Sequence, residues 1–247
     1  MSALYLKSLG EKTWRGQSGR IRAGKSGGGN CYGYDVVRPS SNAAEPERGD
    51  RRINEKEAVI VNHVFNEYAA GKSPRAIAHA LNKSNIRGPA GKTWGSSTIN
   101  GNWRRGTGIL NNELYIGRLV WNRLAYIKNP DTGKRVSRAN DESALIITEV
   151  PELRIINQDL WERVKERQRG LRKLPSFHEK QRPRMLLSYL LKCGCCGGGF
   201  SKVSQHHYGC STARNKGTCH NRPSGGCNRV SWPQRCSRSF AMSTPAT

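Results

Sequence analysis

Four cysteines in the C-terminal part of this sequence constrain its fold more than any other feature. They are spaced Cys193-x2-Cys196, then thirteen residues, then Cys210-x8-Cys219. Two close pairs separated by a short gap are typical of four thiolates that bind one tetrahedral Zn²⁺ ion. The surrounding segment has few apolar residues, and about forty residues rarely fold without a metal or disulfides. A bound zinc would therefore also explain how this segment folds.

Other cysteines and histidines near this motif leave alternatives open. Cys195 lies between two proposed ligands and is interpreted as a bystander, which replaces Cys196 only if the loop is tighter. His206 and His207 are alternative ligands, but a predicted strand follows them, so we expect them to face DNA or solvent. Four protein ligands leave no open position for water, so the predicted zinc is structural rather than catalytic.

The charge of the chain points to a polyanionic partner. Among 247 residues, 42 are lysine or arginine and 18 are aspartate or glutamate, which gives a net charge of +24. No acidic residue follows Glu179, and the first thirty residues carry six basic residues and only Glu11. Nucleic acid is the predicted partner, and general basicity is the alternative.

The sequence shows no membrane-spanning run and no apolar signal region near its N-terminus. Eight cysteines in such a chain favour metal binding over disulfides, which predicts a reducing, cytoplasmic location on the nucleoid.

Residues 3–23 are predicted to form a helix that leads into a glycine-rich, basic strip. A backbone without side chains can lie close to a phosphate backbone or in a minor groove. The pattern Gly19-x4-Gly24-Lys25-Ser26 also matches a P-loop, but that motif needs a preceding buried strand, so nucleotide binding is the weaker interpretation. The candidate DNA contacts of the strip are Arg20, Arg22, Lys25, Gly27 and Gly28.

Three short helices are predicted in the middle of the chain. Asn54 and Glu57 form the pattern of a capping box, Ser73-Pro74 starts a second helix, and Ser96 starts a third that runs to Arg105. Their order resembles a helix-turn-helix, although the loop before the third helix is longer than that motif uses, so an ordinary helical core stays open.

Polar residues of the third helix are candidates to read base edges or to hold phosphates. They are Ser96, Ser97, Thr98, Asn100, Asn102, Arg104 and Arg105. Basic residues of the cysteine-rich segment are predicted to contact phosphate, and they are Lys202, Arg214 and Lys216. Four tryptophans are expected in the core rather than as base-stacking platforms, and they are Trp94, Trp103, Trp121 and Trp161.

A β pattern follows the helices. Residues 115–121 and 144–150 are predicted strands, 129–133 is a turn, and Asn157 caps a further helix. The predicted fold class is therefore α+β, with a helical, winged-helix-like DNA-binding domain followed by a small zinc β-ribbon domain.

Four stretches, in order along residues 3–222, resemble the large serine recombinases, which are phage-type integrases and transposon resolvases. They are 12–25 with the motif Cys31-Tyr-Gly-Tyr34, 54–86, 115–117 with 157–161, and 190–198 with 208–219. The last stretch is the most specific, because it contains all four proposed zinc ligands.

This resemblance implies a division of the chain. Members of the family join a catalytic domain, which carries a nucleophilic serine, through a long helix to two DNA-binding domains. The expected parts here are the end of the long helix with the glycine strip (1–30), the recombinase domain (31–169), a linker (170–185) and the zinc ribbon (186–222). The catalytic domain is expected to be absent, so no catalytic residue is assigned. Residues 223–247 depart from the family and are expected to be disordered, after a frameshift or truncation.

The resemblance favours a site-specific DNA-binding module that acts in DNA recombination or integration of a mobile element. Three alternatives stay open. The chain works with a separate catalytic polypeptide or a full-length recombinase, it occupies an attachment site as a non-enzymatic regulator, or it is an inert truncated remnant.

Overall fold

A computed structural model of the protein describes residues 3–37, 50–173, 191–203, 208–221 and 240–242. The chain forms two compact units that interleave along the sequence. One comprises Met1–Ala70 and Asn100–Arg167, and the other comprises Gly71–Ile99 and Gln168–Thr247. None of the described helices has the length and apolar character needed to cross a bilayer.

The described residues form six α-helices. They are α1 (Ala3–Arg22), α2 (Glu55–Ala69), α3 (Pro74–Lys83), α4 (Ser96–Asn100), α5 (Gln158–Lys173) and α6 (Ser211–Lys216). Short 3₁₀ turns lie between several of the helices and strands. They lie at Pro89–Gly91, Ile109–Asn111, Glu113–Ile116, Glu142–Ala144 and Pro151–Leu153.

The strands are short. They are β1 (Tyr34–Val36), β2 (Arg51–Ile53), β3 (Arg118–Trp121), β4 (Leu124–Lys128), β5 (Arg135–Ala139), β6 (Ile146–Glu149), β7 (Leu191–Cys193), β8 (Phe200–Lys202), β9 (Tyr208–Cys210) and β10 (Phe240–Met242). Each pairs with one antiparallel partner, giving β1–β2, β3–β6 and β4–β5 in the first unit and β7–β10 and β8–β9 in the second. This mixture of helices and strands confirms the α+β class.

The predicted helix starts are observed, but only one of the two hydrogen bonds of the predicted capping box forms. The Asn54 side chain accepts a hydrogen bond from the Glu57 amide, as expected. The Glu57 carboxylate does not return to Asn54 and instead accepts from the Gly33 amide at 2.7 Å. The Asn54 amide donates to the Gly33 carbonyl at 2.9 Å. Glu57 therefore fixes the segment that precedes β1 rather than its own helix end.

The third predicted helix is much shorter than expected. α4 ends at Asn100, whereas the sequence predicts a helix to Arg105. Gly101 has a φ of +53°, and a Cβ at this position would overlap the carbonyl oxygen of Thr107. The chain turns back here, and Asn102 and Thr107 exchange backbone hydrogen bonds at 3.1 Å. Asn102, Arg104 and Arg105 therefore lie on a loop and not on a helix.

Buried tyrosines join distant parts of the chain in the core of the first unit. Tyr34 Oη donates to the carbonyls of Leu114 at 3.0 Å and Leu153 at 2.8 Å, and Tyr115 Oη donates to the Tyr32 carbonyl at 2.8 Å. The Tyr34 and Tyr115 rings stack with centroids 5.9 Å apart. Burial raises the pKa of both phenols, so each stays a neutral donor at every physiological pH.

Further aromatic contacts extend this core toward the helices. Phe65 of α2 meets the Tyr115 ring edge-on at 6.0 Å and stacks on Trp161 of α5 at 5.8 Å. Gly33 lies beside this cluster with a φ of +97°, and a Cβ there would approach Ile155 Cδ1 to 3.1 Å. The motif Cys31-Tyr-Gly-Tyr34 thus supplies two core tyrosines and the one residue type that fits between them.

The prediction that the tryptophans form core is right for Trp94 and Trp161, which are buried, and wrong for Trp103. Trp103 is 51 % exposed, because it lies on the loop that follows α4. Trp121 is half-buried, and its ring packs against Trp14 of α1 with centroids 6.1 Å apart.

Two predicted segments are only partly described. The expected linker 170–185 begins inside α5, which continues to Lys173, and its other residues lie outside the described residues. The tail 223–247, which is expected to be disordered, lies outside the described residues except for β10, which pairs with β7 so that Phe240 opposes Cys193. His206 and His207 also lie outside the described residues.

Candidate metal centre and nucleic-acid interface

Four cysteine sulfurs converge in the second unit. The Sγ atoms of Cys193, Cys196, Cys210 and Cys219 all lie within 4.8 Å of one another. Cys193 and Cys219 are 3.9 Å apart, and Cys196 and Cys210 are 3.5 Å apart. Tetrahedral Zn–S bonds place ligand sulfurs about 3.8 Å apart, whereas a disulfide brings them to about 2.0 Å. The four side chains could therefore hold one metal ion.

Two of these cysteines end strands, and the other two lie shortly after a strand or a helix. Cys193 is the last residue of β7, and Cys196 follows in a turn closed by Gly197, which has a φ of +67°. Cys210 ends β9 and caps α6, because its Sγ accepts from the Ala213 amide at 3.5 Å. Cys219 follows two residues after the left-handed Gly217 that terminates α6. Two strands, a turn and a helix thus aim four thiols at one point.

Hydrogen bonds prepare two of the thiols for ionisation. Burial raises the pKa of Cys193, but donors including the side chain of Asn221, at 3.2 Å from Sγ, outweigh it and lower this pKa to about 6. The Gly198 amide and the Thr212 hydroxyl lower the pKa of Cys196 against the effect of burial. Donors directed at sulfur favour the thiolate, which is the form that binds metals.

The other two thiols show the opposite shift. Burial raises the pKa of Cys210. The Asn221 amide lowers the pKa of Cys219, but burial and the contacts with Cys196 and Cys193 raise it to about 12. Four thiolates this close repel one another, so only a cation at the centre lets all four ionise together.

Two residues around the cluster were missed by the sequence analysis. Asn221 donates to Cys193 through its side chain and to Cys219 through its amide at 3.4 Å. Gly198 packs so closely that a Cβ would lie 3.2 Å from Cys196 Sγ. The only sequence signal for a role of these two residues at the cluster is that each lies two positions after a cysteine. Cys195 is exposed and does not belong to the cluster, in agreement with its interpretation as a bystander.

The last turn of α6 is held by α3 within the same unit. Asn82 donates to the Lys216 carbonyl at 2.6 Å, and His79 Nε2 lies 3.1 Å from the Arg214 carbonyl. Asn82 also pairs with the backbone of Trp94 in both directions, at 2.8 and 2.9 Å. One amide side chain thus ties the residues just before α4 to the helix between two cluster cysteines.

Hydrogen bonds hold the glycine strip after α1 in a defined loop. The Ser26 hydroxyl accepts from the Gly28 amide at 3.2 Å, and Arg51 donates to Ser26 at 2.9 Å and to the Gly29 carbonyl at 3.1 Å. Gly27 packs on Ile21, and a Cβ added at position 27 would lie only 3.0 Å from Ile21 Cδ1. The P-loop interpretation fails here, since the strip follows a helix rather than a strand.

The basic residues of this region differ in their surroundings. Arg20 and the glycines line a cavity of about 390 Å³, and Arg22 is exposed. Lys25 instead forms an ion pair with Asp50 at 3.2 Å. The glycines 28 and 29 are exposed with φ of +131° and +71°. Arg20, Gly27 and Gly28 therefore lie around one cavity, whereas Lys25 is paired with Asp50.

The polar residues of α4 point in different directions. Ser97 and Asn100 are exposed, Ser96 and Thr98 are half-buried, and Ile99 is buried. On the loop beyond, Arg104 and Arg105 are exposed, while the Asn102 side chain accepts from the Arg105 amide at 3.3 Å. Asn102 thus shapes the loop. In the cysteine-rich segment, Lys216 is exposed, and Lys202 and Arg214 are half-exposed.

Comparisons with known proteins identify a similar domain in the middle of the chain. Residues 55–170 match the family model described as Recombinase. No similar sequence was found among curated proteins.

Two solved structures are similar at low identity. One is described as a crystal structure of a LSR–DNA complex, with 22 % identity, a TM-score of 0.41 and coverage of 81 % of this chain. The other concerns the sequence requirements of the Listeria innocua prophage attP site, with 22 % identity, a TM-score of 0.42, and coverage of 81 % of this chain and 74 % of that one. The chain spans 56 % of the length of the first. The match of residues 55–170 to the Recombinase model supports the sequence-based resemblance, and this stretch of the chain is similar to a Recombinase domain.

Proposed function

We propose that this chain is a site-specific DNA-binding module of the serine recombinase type, which binds double-stranded DNA at an attachment or element-end site during recombination or integration of a mobile element. The observation that carries the proposal is the Recombinase domain at residues 55–170. The net charge of +24 supports it, because a protein with this charge is attracted to phosphates along the duplex. The proposed role is recognition, and no catalytic residue is assigned.

The metal of the four-cysteine cluster is proposed to be zinc in a structural role. Four thiolates in tetrahedral spacing suit Zn²⁺ and leave no position for a water nucleophile. Cys193, Cys196, Cys210 and Cys219 would hold the ion. Bound zinc supplies the charge that keeps four thiolates together, and the folded module then presents Lys202, Arg214 and Lys216 to DNA.

The DNA contacts divide into two proposed classes. Ser97 and Asn100 are proposed to read base edges, because they are the exposed polar residues of α4. Arg20, Arg22, Arg104 and Arg105 are proposed to hold phosphates, with Gly27 and Gly28 allowing close approach of the backbone. Phosphate contacts affect all sequences alike, whereas base contacts set the preferred site.

A binding assay with the full chain tests this function. Electrophoretic mobility shift is measured on duplexes from the ends of the host element and on scrambled duplexes of equal length, across a salt titration and with or without a chelator. We expect preference for the element ends, a decline in affinity with salt, and loss of the preference on chelation. Binding that ignores sequence would leave only a basic polyanion binder, and no binding to either duplex would overturn the proposal.

A second measurement separates a recognition module from an enzyme. End-labelled element-end DNA is incubated with the chain and analysed for strand cleavage and for covalent protein–DNA adducts. The proposal expects neither product at concentrations that saturate binding. A covalent adduct would show that the chain carries its own nucleophile.

A further inference from the structure

The loop that follows α4 is closed at its base by backbone contacts. Asn102 and Thr107 form an isolated antiparallel bridge, and Gly101 and Gly108 cross beneath it with φ of +53° and +89°. A Cβ at Gly108 would lie 2.5 Å from the Gly101 Cα. The two backbones therefore touch at a point where only glycine fits on either side.

Polar groups hold the base of this loop in place. Asn111 is 4 % exposed, and its side chain donates to the carbonyls of Asn100 at 2.7 Å and Thr107 at 3.0 Å. Lys165 of α5 donates to the Asn111 side-chain oxygen at 2.9 Å. This network of a partly buried lysine and a buried asparagine fixes both ends of the loop to the body of the unit.

The side of the loop is held as well. The Arg123 guanidinium lies against Gly106, where a Cβ would come within 2.7 Å of its Nη1, and it also pairs with Glu113 at 2.8 Å. Glu113 pairs in turn with Arg118 at 3.2 Å. The loop is thus contacted along its side by Arg123, which is itself held by Glu113.

The tip of this loop carries an exposed tryptophan and two exposed arginines. Trp103 is 51 % exposed, the Arg104 guanidinium lies 5.3 Å from the centre of its ring, and Arg105 follows. No acidic residue occurs between Asn100 and Asn112. An exposed tryptophan beside arginines, with no acidic neighbour in sequence, suits a surface that is both apolar and negatively charged, and the sugar–phosphate backbone of a duplex is such a surface.

We propose that Trp103 is a DNA-binding residue: its indole packs against deoxyribose at the edge of a groove, while Arg104 and Arg105 bind the flanking phosphates. The inference rests on the proposed function and adds an apolar contact to it. Sugars are the same in every sequence, so the contact contributes equally to all duplexes. It acts as an anchor, and base reading is left to other residues.

Three single variants of the full chain test the inference: Trp103→Ala, Trp103→Phe and Arg104→Ala. Dissociation constants are measured on element-end and scrambled duplexes over a range of salt. Trp103→Ala is expected to bind both duplexes about tenfold more weakly with an unchanged salt slope, since no phosphate contact is lost. Trp103→Phe keeps most of the affinity, and Arg104→Ala lowers the salt slope by about 1.

The matched control is Tyr126→Ala, which removes another exposed aromatic, 60 % accessible, with an arginine 5.7 Å from its ring. It is expected to leave binding unchanged. Thermal unfolding of each variant checks that the loop residues do not support the fold. Wild-type affinity in Trp103→Ala, a loss confined to the element-end duplex, or an equal loss in Tyr126→Ala would overturn the inference. Failure of the wild type to bind either duplex would instead overturn the proposed function.

Discussion

The tyrosine core of the first unit and the four-cysteine module of the second fold by different means. The tyrosine core buries several large aromatic rings and joins residues 80 and 119 positions apart through the Tyr34 hydroxyl. In the cysteine module, the buried cluster consists of three cysteines and Ala213, with Phe200 packed against it. The first buries many large apolar side chains, whereas the second buries few and instead brings together four cysteines that could hold a metal ion.

Because of this contrast, we expect different changes to destabilise the two regions. Large aromatic side chains contribute roughly 1.5 to 3 kcal/mol each on burial, and no ion is needed to keep them together. Thiols contribute little by burial, and close thiolates oppose each other until a cation joins them. Removing metal should therefore act on one region and leave the other intact.

The largest expected effect comes from replacing a cluster cysteine. Cys210→Ser removes one of the four proposed zinc ligands, and a structural zinc site contributes roughly 10 kcal/mol or more to folding, so the module should unfold. Hydrogen exchange followed by mass spectrometry should show lost protection in 191–203 and 208–221 and unchanged protection in α2. Cys195→Ser, outside the cluster, is the control and should match the wild type. Equal loss of protection in α2 would break the comparison.

The next effect tests whether the cysteine module also depends on α3. Asn82→Ala removes hydrogen bonds to Trp94 and to the Lys216 carbonyl, and partly buried groups left without partners cost about 1 to 3 kcal/mol. We expect a lower midpoint of chelator-induced unfolding. Asn66→Ala, which removes an exposed asparagine on α2, should leave the midpoint unchanged. An unchanged midpoint in Asn82→Ala would show that the module folds on metal alone.

A smaller effect is expected in the tyrosine core. Tyr34→Phe keeps the ring and removes the hydroxyl that donates to two buried carbonyls, so the free energy of unfolding should fall by about 1 to 2 kcal/mol. Thermal denaturation should show this loss with and without chelator. Tyr126→Phe is the matched control, because that ring is exposed and should show no loss. A loss that appears only in the presence of metal would contradict the independence of the two regions.

The smallest effect concerns the ion pair beside the glycine strip. Asp50→Ala removes the partner of Lys25, and exposed pairs contribute less than about 1 kcal/mol. Stability should barely change, while the released lysine should raise DNA affinity slightly at low salt. Asp131→Ala, on the β4–β5 turn, removes the same charge and controls for net charge. Equal gains in both variants would show that Lys25 itself contributes nothing.

Local signals were enough to predict several parts of this structure. Asn54 and Ser73 cap helices where the sequence places them, and the turn at 129–133 joins β4 to β5. These features depend on neighbouring residues, so a linear pattern contains the needed information. The cysteine spacing likewise predicted the cluster, because the pairs lie close along the chain.

Features that depend on distant contacts were missed. The helix predicted to Arg105 stops at Asn100, because Gly101 and Gly108 bring two backbones into contact seven residues apart. Trp103 was placed in the core on residue type alone, and only the loop geometry exposes it. Glu57 turned to Gly33 instead of Asn54 because the chain before β1 folds back onto α2.

The sequence by itself determined the charge of this protein, its four metal-ligand candidates and its similarity to the Recombinase model, since these depend on composition and on patterns along the chain. Only the tertiary structure decided which donors surround each sulfur, which arginine is exposed, and that Trp103 stands on a braced loop. The physical reason is that hydrogen bonds and burial join residues far apart in the chain, and their geometry exists only after folding.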